Sequence, residues 1–69
     1  MNIGLKLKLA RIEQNINQLK MAELYKCSPQ AIRNIEANEM PSLSIIEKYL
    51  KCIGKRVEIV FLPSSDVSV

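Results

Sequence analysis

Apolar residues recur every three or four positions at the start of the chain, which is the spacing of a helical face. One set is Ile3, Leu7 and Ala10, and a second set is Leu5, Leu9 and Ile12. The pattern therefore predicts a first helix over Ile3–Gln14 that carries two apolar stripes. A single small core needs only one of them.

Two further helices are predicted from their start signals. Asn17 is a good N-cap, because its side-chain oxygen can accept from a free amide one turn into the helix. The second helix then runs from Gln18 to about Lys26. Its inward residues are Leu19 and Ala22, joined by Met21, Leu24 and Tyr25.

The third helix begins at Ser28-Pro29, where serine caps the helix and proline occupies its first position. It runs to about Ala37, with Ile32 and Ile35 facing inward. Asn38 follows at a position where a left-handed residue often ends a helix, and asparagine tolerates that conformation.

A fourth helix is predicted after Ser42, which serves as its N-cap, and Gly54 ends it. Its apolar face is formed by Leu43, Ile46, Tyr49, Leu50 and Ile53. The period then changes. Residues 55–62 are rich in β-branched and aromatic residues and stop at Pro63, which predicts one strand.

Composition places these elements in one small domain. The chain has 69 residues, 48% apolar and 25% charged, so we assign residues 1–62 to a single domain and expect residues 63–69 to be a disordered tail. The fold class expected is all-α, a bundle of four or five helices with a short C-terminal strand. No apolar run is long enough to span a bilayer and no signal peptide is evident, so we expect a cytoplasmic protein without membrane contact.

The chemistry of the side chains argues against an enzyme. The chain has no histidine, and its two cysteines, Cys27 and Cys52, form no CxxC pair. These counts exclude a zinc site of Cys and His and acid–base catalysis by histidine. We therefore predict no catalytic residues, no metal site and no cofactor. The formal net charge of +3 permits a polyanionic partner without requiring one.

The second and third helices, joined by a short capped turn, have the arrangement of a helix-turn-helix. The outer face of the third helix is then Gln30, Arg33, Asn34 and Ala37. A helix fits the major groove of B-form DNA, where Gln or Asn can pair with adenine and Arg with guanine. Such residues also occur on ordinary solvated helix faces, so the flanking helices carry the argument.

The chain resembles the small helix-turn-helix repressors of phage lambda Cro and repressor type, also called xenobiotic-response-element-like regulators. The resemblance covers Ile3 to about Ile53. It rests on Ile3-Gly4, Leu7, Arg11, Asn15-Ile16-Asn17-Gln18, Met21-Ala22-Glu23-Leu24, Cys27-Ser28, Ile32, Ile35-Glu36 and Pro41-Ser42-Leu43. Lys26 departs from the family pattern, because it replaces the usual glycine of the turn, where the backbone must be strained or altered.

The resemblance implies a lambda-repressor-like bundle that binds double-stranded DNA. By position, the phosphate contacts would be Asn17, Gln18, Ser28 and Asn38, with Gln18 sometimes reaching a base. The base contacts would be Gln30, Arg33 and Asn34. Arg11 and Glu36 would form a structural ion pair between the first and third helices. Pro29 replaces a polar residue that often touches DNA in this family, so one contact would be absent.

The second stripe on the first helix and the strand suggest a homodimer. Strands of two-fold-related chains would pair antiparallel and cover the stripe. The residues expected in this contact are Leu5, Leu9, Ile12, Val57, Ile59 and Phe61. A strand folded back over its own helices is the alternative. A two-fold dimer would act as a repressor at a palindromic operator.

The segment Gly54–Ile59 resembles a subgroup that contains antitoxins of toxin–antitoxin operons. In that subgroup, the antitoxin dimer represses its own operon and a toxin protein binds elsewhere on it. The alternative from another class is a protein-interaction module that keeps the helix-turn-helix shape without binding DNA.

Overall fold

The computed structural model describes residues 1–58. Within them the chain forms helices α1 Ile3–Glu13, α2 Gln18–Tyr25, α3 Pro29–Ala37 and α4 Leu43–Cys52. These bounds confirm the helices expected from sequence to within about a residue at each end, and the all-α class is confirmed for the described residues. None of the helices in residues 1–58 is long and apolar enough to cross a membrane.

Each helix starts with a side-chain cap that satisfies a free backbone amide. The side-chain oxygen of Asn17 accepts from the amide of Lys20 at 2.7 Å, and Ser28 Oγ accepts from the amide of Ala31 at 3.1 Å. Asn2 and Ser42 cap α1 and α4 in the same way. A cap of this kind contributes about 1 kcal/mol. These caps explain why the helix starts predicted from the sequence agree so closely with the observed ones.

The helices enclose one small core. Its buried apolar side chains are Leu7, Met21, Ala22, Ile32, Tyr49 and Ile53. Three expected core residues are not buried, since Leu19 is 61% exposed, Leu43 is 47% exposed and Leu24 is 38% exposed. In α2 the buried face is set by Met21 and Ala22, and Leu19 turns away from it. In α4 the apolar face continues one turn past its packed part, so Leu43 is left in solvent.

The start of α1 packs against the chain that follows α3. The amide of Gly4 donates to the carbonyl of Asn38 at 3.0 Å, and the amide of Ile3 donates to the carbonyl of Glu39 at 2.8 Å. These bonds require an extended backbone, and Asn38 has φ −85° and ψ 122°. The left-handed conformation expected for Asn38 is therefore wrong.

This close approach requires a glycine at position 4. A Cβ built on Gly4 would lie 2.3 Å from the carbonyl oxygen of Asn38 and 2.6 Å from that of Glu36, both backbone atoms. The helix must therefore shift to accept any side chain, which is an overpacking cost.

We expect Gly4→Ala to lower the free energy of unfolding by about 1–3 kcal/mol, measured by denaturant unfolding. Gly54→Ala is the matched control. A Cβ on Gly54 meets nothing within 4 Å, although its φ of +75° carries the cost of a left-handed residue. That cost is about 1–2 kcal/mol. An unchanged midpoint for Gly4→Ala would contradict the close packing of α1 on α3.

The predicted strand lies mostly beyond the described chain. Residues 55–58 carry no strand assignment, and residues 59–62 and the tail 63–69 lie outside the described residues. Val57 is partly buried at a groove between α1 and α4 that Ile3, Leu7 and Leu50 also line. The last described residues therefore return toward the face that α1 and α4 share.

Candidate nucleic-acid interface

The link between α2 and α3 is a tight turn over Lys26–Ser28. Lys26 has φ 67° and ψ 52°, the left-handed conformation that a glycine would adopt at low cost. The amide of Cys27 donates to the carbonyl of Ala22 at 3.0 Å, which closes the end of α2. The strain expected at Lys26 is confirmed. Holding Lys26 in this conformation costs roughly 1–2 kcal/mol.

The outer face of α3 is polar and open. Gln30, Arg33 and Asn34 are all exposed, as the sequence indicated, while Ile32 on the opposite face is fully buried. We call these three exposed residues the α3 face. Their position outside the core leaves them free to contact a partner.

The side chains of the α3 face hydrogen-bond to one another. Gln30 Oε1 accepts from Arg33 Nη2 at 2.8 Å and from Arg33 Nε at 3.3 Å. Gln30 Nε2 donates to Asn34 Oδ1 at 3.0 Å. Bonds between exposed groups exchange with water at little net cost, so a base edge can replace them. The network therefore restricts the rotamers of these three side chains but leaves their hydrogen-bonding groups available to a partner.

A buried ion pair connects α1 to the side of α3 that lies away from the α3 face. Arg11 Nε donates to Glu36 Oε2 at 2.8 Å, and Arg11 Nη2 donates to Glu36 Oε1 at 3.1 Å. The two side chains are only 6% and 4% exposed. Arg11 Nη1 donates in addition to the carbonyl of Ile16 at 2.7 Å. The structural ion pair implied by the resemblance is confirmed, and it joins α1 to α3.

Two more helices donate to the same carboxylate. Tyr49 of α4 donates its hydroxyl to Glu36 Oε2 at 2.5 Å, and Gln18 of α2 donates Nε2 to Glu36 Oε1 at 3.2 Å. Glu36, itself a residue of α3, therefore bonds to each of the other three helices of the described chain. The sequence placed Tyr49 in the apolar core but gave no signal for its hydroxyl contact.

The surroundings of Glu36 keep it ionised. Burial alone would raise its pKa, but hydrogen bonds from Arg11, Tyr49 and Gln18 outweigh burial and hold the pKa below its ordinary value. The pKa of Tyr49 is raised, first by burial and then by its bond to Glu36. Both shifts favour a negative carboxylate between a cation and neutral donors. Gln18 is consequently held by an acceptor that stays charged near neutral pH.

The structure places the other expected phosphate contacts at helix ends. Asn17 and Ser28 are exposed and lie at the N-termini of α2 and α3, where their side chains act as caps. Asn38 is exposed just after α3, and its Oδ1 accepts from the amide of Met40 at 3.0 Å. Asn17 and Ser28 thus stand beside backbone amides that point out of the helices, which suits an anionic group.

The second stripe on α1 is exposed. Leu5, Leu9 and Ile12 are 47%, 51% and 49% exposed, whereas Leu7 on the core side is 3% exposed. We call the three exposed residues the α1 stripe. Its exposure agrees with the pattern read from sequence, and the pairing expected there stays a prediction.

One basic residue near the α3 face was overlooked in the sequence. Lys8 of α1 lines a shallow depression together with Gln18 and Arg33. A signal was available, because Lys8 lies three residues before Arg11 and so shares a flank of α1 with it. The pairing of Arg11 with Glu36 therefore implied that Lys8 would lie near α3.

Two short helices, a tight turn and an outward polar face on the second helix define a helix-turn-helix domain of the DNA-binding type. The helix-turn-helix family model HTH_3 matches residues 7–60, most of the chain. The chain therefore belongs to this family of Cro/C1-type DNA-binding regulators. Neither the curated proteins nor the solved structures contain a match.

Proposed function

We propose that this protein is a sequence-specific transcriptional repressor that inserts α3 into the major groove of its operator. The observation that carries the proposal is the exposed α3 face, with Gln30, Arg33 and Asn34 directed away from the core. In a helix-turn-helix, residues near the N-terminus of the second helix reach the base edges. Gln30 is the second residue of α3 and Asn34 lies one turn later on the same face.

The contacts divide into base readers and phosphate anchors. The side-chain amides of Gln30 and Asn34 can each make two hydrogen bonds to the edge of an adenine. Asn17, Gln18, Ser28 and Asn38 serve as the phosphate anchors, which fix the register of the domain on the duplex.

Charge supports a nucleic-acid partner on this face. Glu36 is the only acidic residue of α3, and it is buried and paired with Arg11. The α3 face therefore presents a cation and amides without an exposed carboxylate. Gln30, Arg33 and Asn34 themselves therefore place no negative charge against the phosphates of DNA.

A homodimer completes the proposal. The α1 stripe and the segment that begins at Val57 are the apolar surfaces we assign to the contact with a second copy. Ile59 and Phe61, which lie outside the described residues, extend that segment. A two-fold dimer would place two α3 helices roughly 34 Å apart, one turn of DNA, and so requires a palindromic operator. An antitoxin role would add a toxin protein as a further partner.

We expect Gln30→Ala and Asn34→Ala each to weaken specific binding by about 1–3 kcal/mol, because each removes a two-bond contact to a base. Both residues are exposed, so thermal unfolding should be unchanged. The measurement is fluorescence anisotropy with a duplex selected from random DNA by the wild-type protein. Gln14→Ala, an exposed glutamine outside α3, is the matched control. Unchanged affinity for both α3 variants would rule out α3 as the reading helix.

The rival function is a protein-interaction module, which the exposed α1 stripe favours on its own. Binding to random DNA separates the two functions. Phosphate contacts release counterions, so the affinity of a DNA-binding protein falls steeply as salt rises. Absence of any shift of random DNA at low salt would favour the interaction module.

A further inference from the structure

A shallow depression lies beside the α3 face, where α1, the start of α2 and α3 meet. Its lining residues are Lys8, Gln18, Arg33, Glu36 and Ala37. We call it the α1–α3 depression. The residues come from three helices, so the fold alone brings them together.

The α1–α3 depression has an excess of free positive charge. Lys8 and Arg33 are both exposed, and within residues 1–58 neither forms a salt bridge. The one carboxylate in the depression, Glu36, is already engaged by Arg11, Tyr49 and Gln18. Glu36 therefore does not neutralise Lys8 and Arg33. An anion from outside the chain would serve as their counterion.

The donors in the depression are also partly oriented. Gln30 holds Arg33 through Nε and Nη2, and a guanidinium has five N–H groups, so the Nη1 side stays available. Gln18 uses Nε2 to reach Glu36, and an amide nitrogen carries a second hydrogen. Arg33 and Gln18 are thus restrained by neighbours while keeping donors for a ligand.

Arg33 stands at the margin of the α3 face. With about 100° per residue, Arg33 lies about 60° from Gln30 on the flank toward Glu36, and Asn34 lies about 40° away on the other flank. The flank of Arg33 is the one that meets α1 and α2. In a helix-turn-helix bound to DNA, the helix before the reading helix crosses the sugar–phosphate backbone.

We infer that the α1–α3 depression binds one backbone phosphate, held by Lys8, Gln18 and Arg33, and that Arg33 contacts this phosphate instead of a base. The inference rests on the proposed function and refines it. Lys8 gains a role in DNA binding. Sequence preference is then left to Gln30 and Asn34.

The test compares Lys8→Gln and Arg33→Gln with the wild-type protein, using anisotropy over a range of KCl concentrations. The probes are a duplex selected by the wild-type protein and a duplex of random sequence. Lys6→Gln is the matched control, because it removes the same charge from the same helix about 160° away, beside the α1–α4 groove. Thermal unfolding establishes that each variant is folded.

We expect each of the two variants to reduce the slope of log affinity against log salt by about 0.9 per bound subunit. Affinity should fall by the same factor on both duplexes, and Arg33→Lys should restore most of the slope. Lys6→Gln should leave the slope close to that of the wild type. Since Lys8 and Arg33 share one phosphate, the double variant should lose less than the sum of the single losses.

Three results would overturn the inference, and only the first of them would also overturn the proposed function. If the wild-type protein binds neither duplex, the proposed function fails together with the phosphate site. If the wild-type protein binds and Lys8→Gln keeps its slope, only the site fails. If Arg33→Gln relaxes preference at a single base pair and keeps the slope, Arg33 reads a base.

Discussion

Glu36→Ala is expected to lower the free energy of unfolding by about 3–5 kcal/mol, because it leaves the guanidinium of Arg11 buried without its counterion. Arg11 is 5% exposed, so water cannot replace the lost carboxylate. The hydroxyl of Tyr49 loses its acceptor in the same variant. A domain of this size has only a small margin of stability, so much of the protein should unfold. Denaturant unfolding followed by circular dichroism measures the effect.

The control for this variant removes both charges at once. Replacing a buried ion pair by apolar residues of similar volume is often neutral or stabilising. We therefore expect the double variant Arg11→Met with Glu36→Leu to be more stable than Glu36→Ala. A loss below about 1 kcal/mol for Glu36→Ala, the level of an exposed pair, would show that the pair is not structural.

The ion pair also sets a pH dependence. The ordinary pKa of the carboxyl is near 4.5, and the folded pKa of Glu36 lies below it. A lowered folded pKa contributes stability that is complete above the ordinary value and is lost as pH falls through the folded value. We expect the denaturant midpoint of the wild-type protein to decrease as the pH is lowered below 4.5. The part of this decrease that is due to Glu36 should be absent from the double variant.

Leu9→Asp is expected to convert the protein into monomers, because it places a charge at the middle of the α1 stripe. Leu9 is 51% exposed in the single chain, so the fold of the monomer should survive. Loss of the second subunit removes the bivalent attachment to a palindrome. Operator affinity should then fall by roughly 10²- to 10⁴-fold. Sedimentation equilibrium gives the mass, and anisotropy gives the affinity.

Leu19→Asp is the control for the mass measurement, since Leu19 is 61% exposed on α2, outside the surfaces assigned to the dimer. It should keep the mass of a dimer. Ile59→Asp tests the C-terminal part of the same contact. A wild-type protein that already sediments as a monomer, or a Leu9→Asp dimer, would contradict the homodimer.

The helices could be read from the sequence because their signals are local. A cap such as Asn17, or Ser28 followed by Pro29, acts through backbone amides within one turn, so no tertiary information is needed. The outward direction of Gln30 and Asn34 follows in the same way, since Ile32 and Ile35 define the opposite face of α3. The ion pair of Arg11 with Glu36 came instead from the family resemblance.

The features that the sequence did not predict depend on distant contacts. Asn38 is extended because its carbonyl is bound by the start of α1, a contact 34 residues away in the chain. Leu19 is exposed because α3 and α4 pack on the other side of α2. The contact of the Tyr49 hydroxyl with Glu36 and the position of Lys8 beside Gln18 and Arg33 depend on helices that meet only in the folded bundle. Periodicity cannot supply such contacts.

Selection of binding sites from random double-stranded DNA by the wild-type protein tests the central claim, that α3 reads the major groove. We expect enrichment of one sequence with two symmetric halves whose centres are about 10 bp apart. A pool that stays as random after selection as before it would contradict the claim.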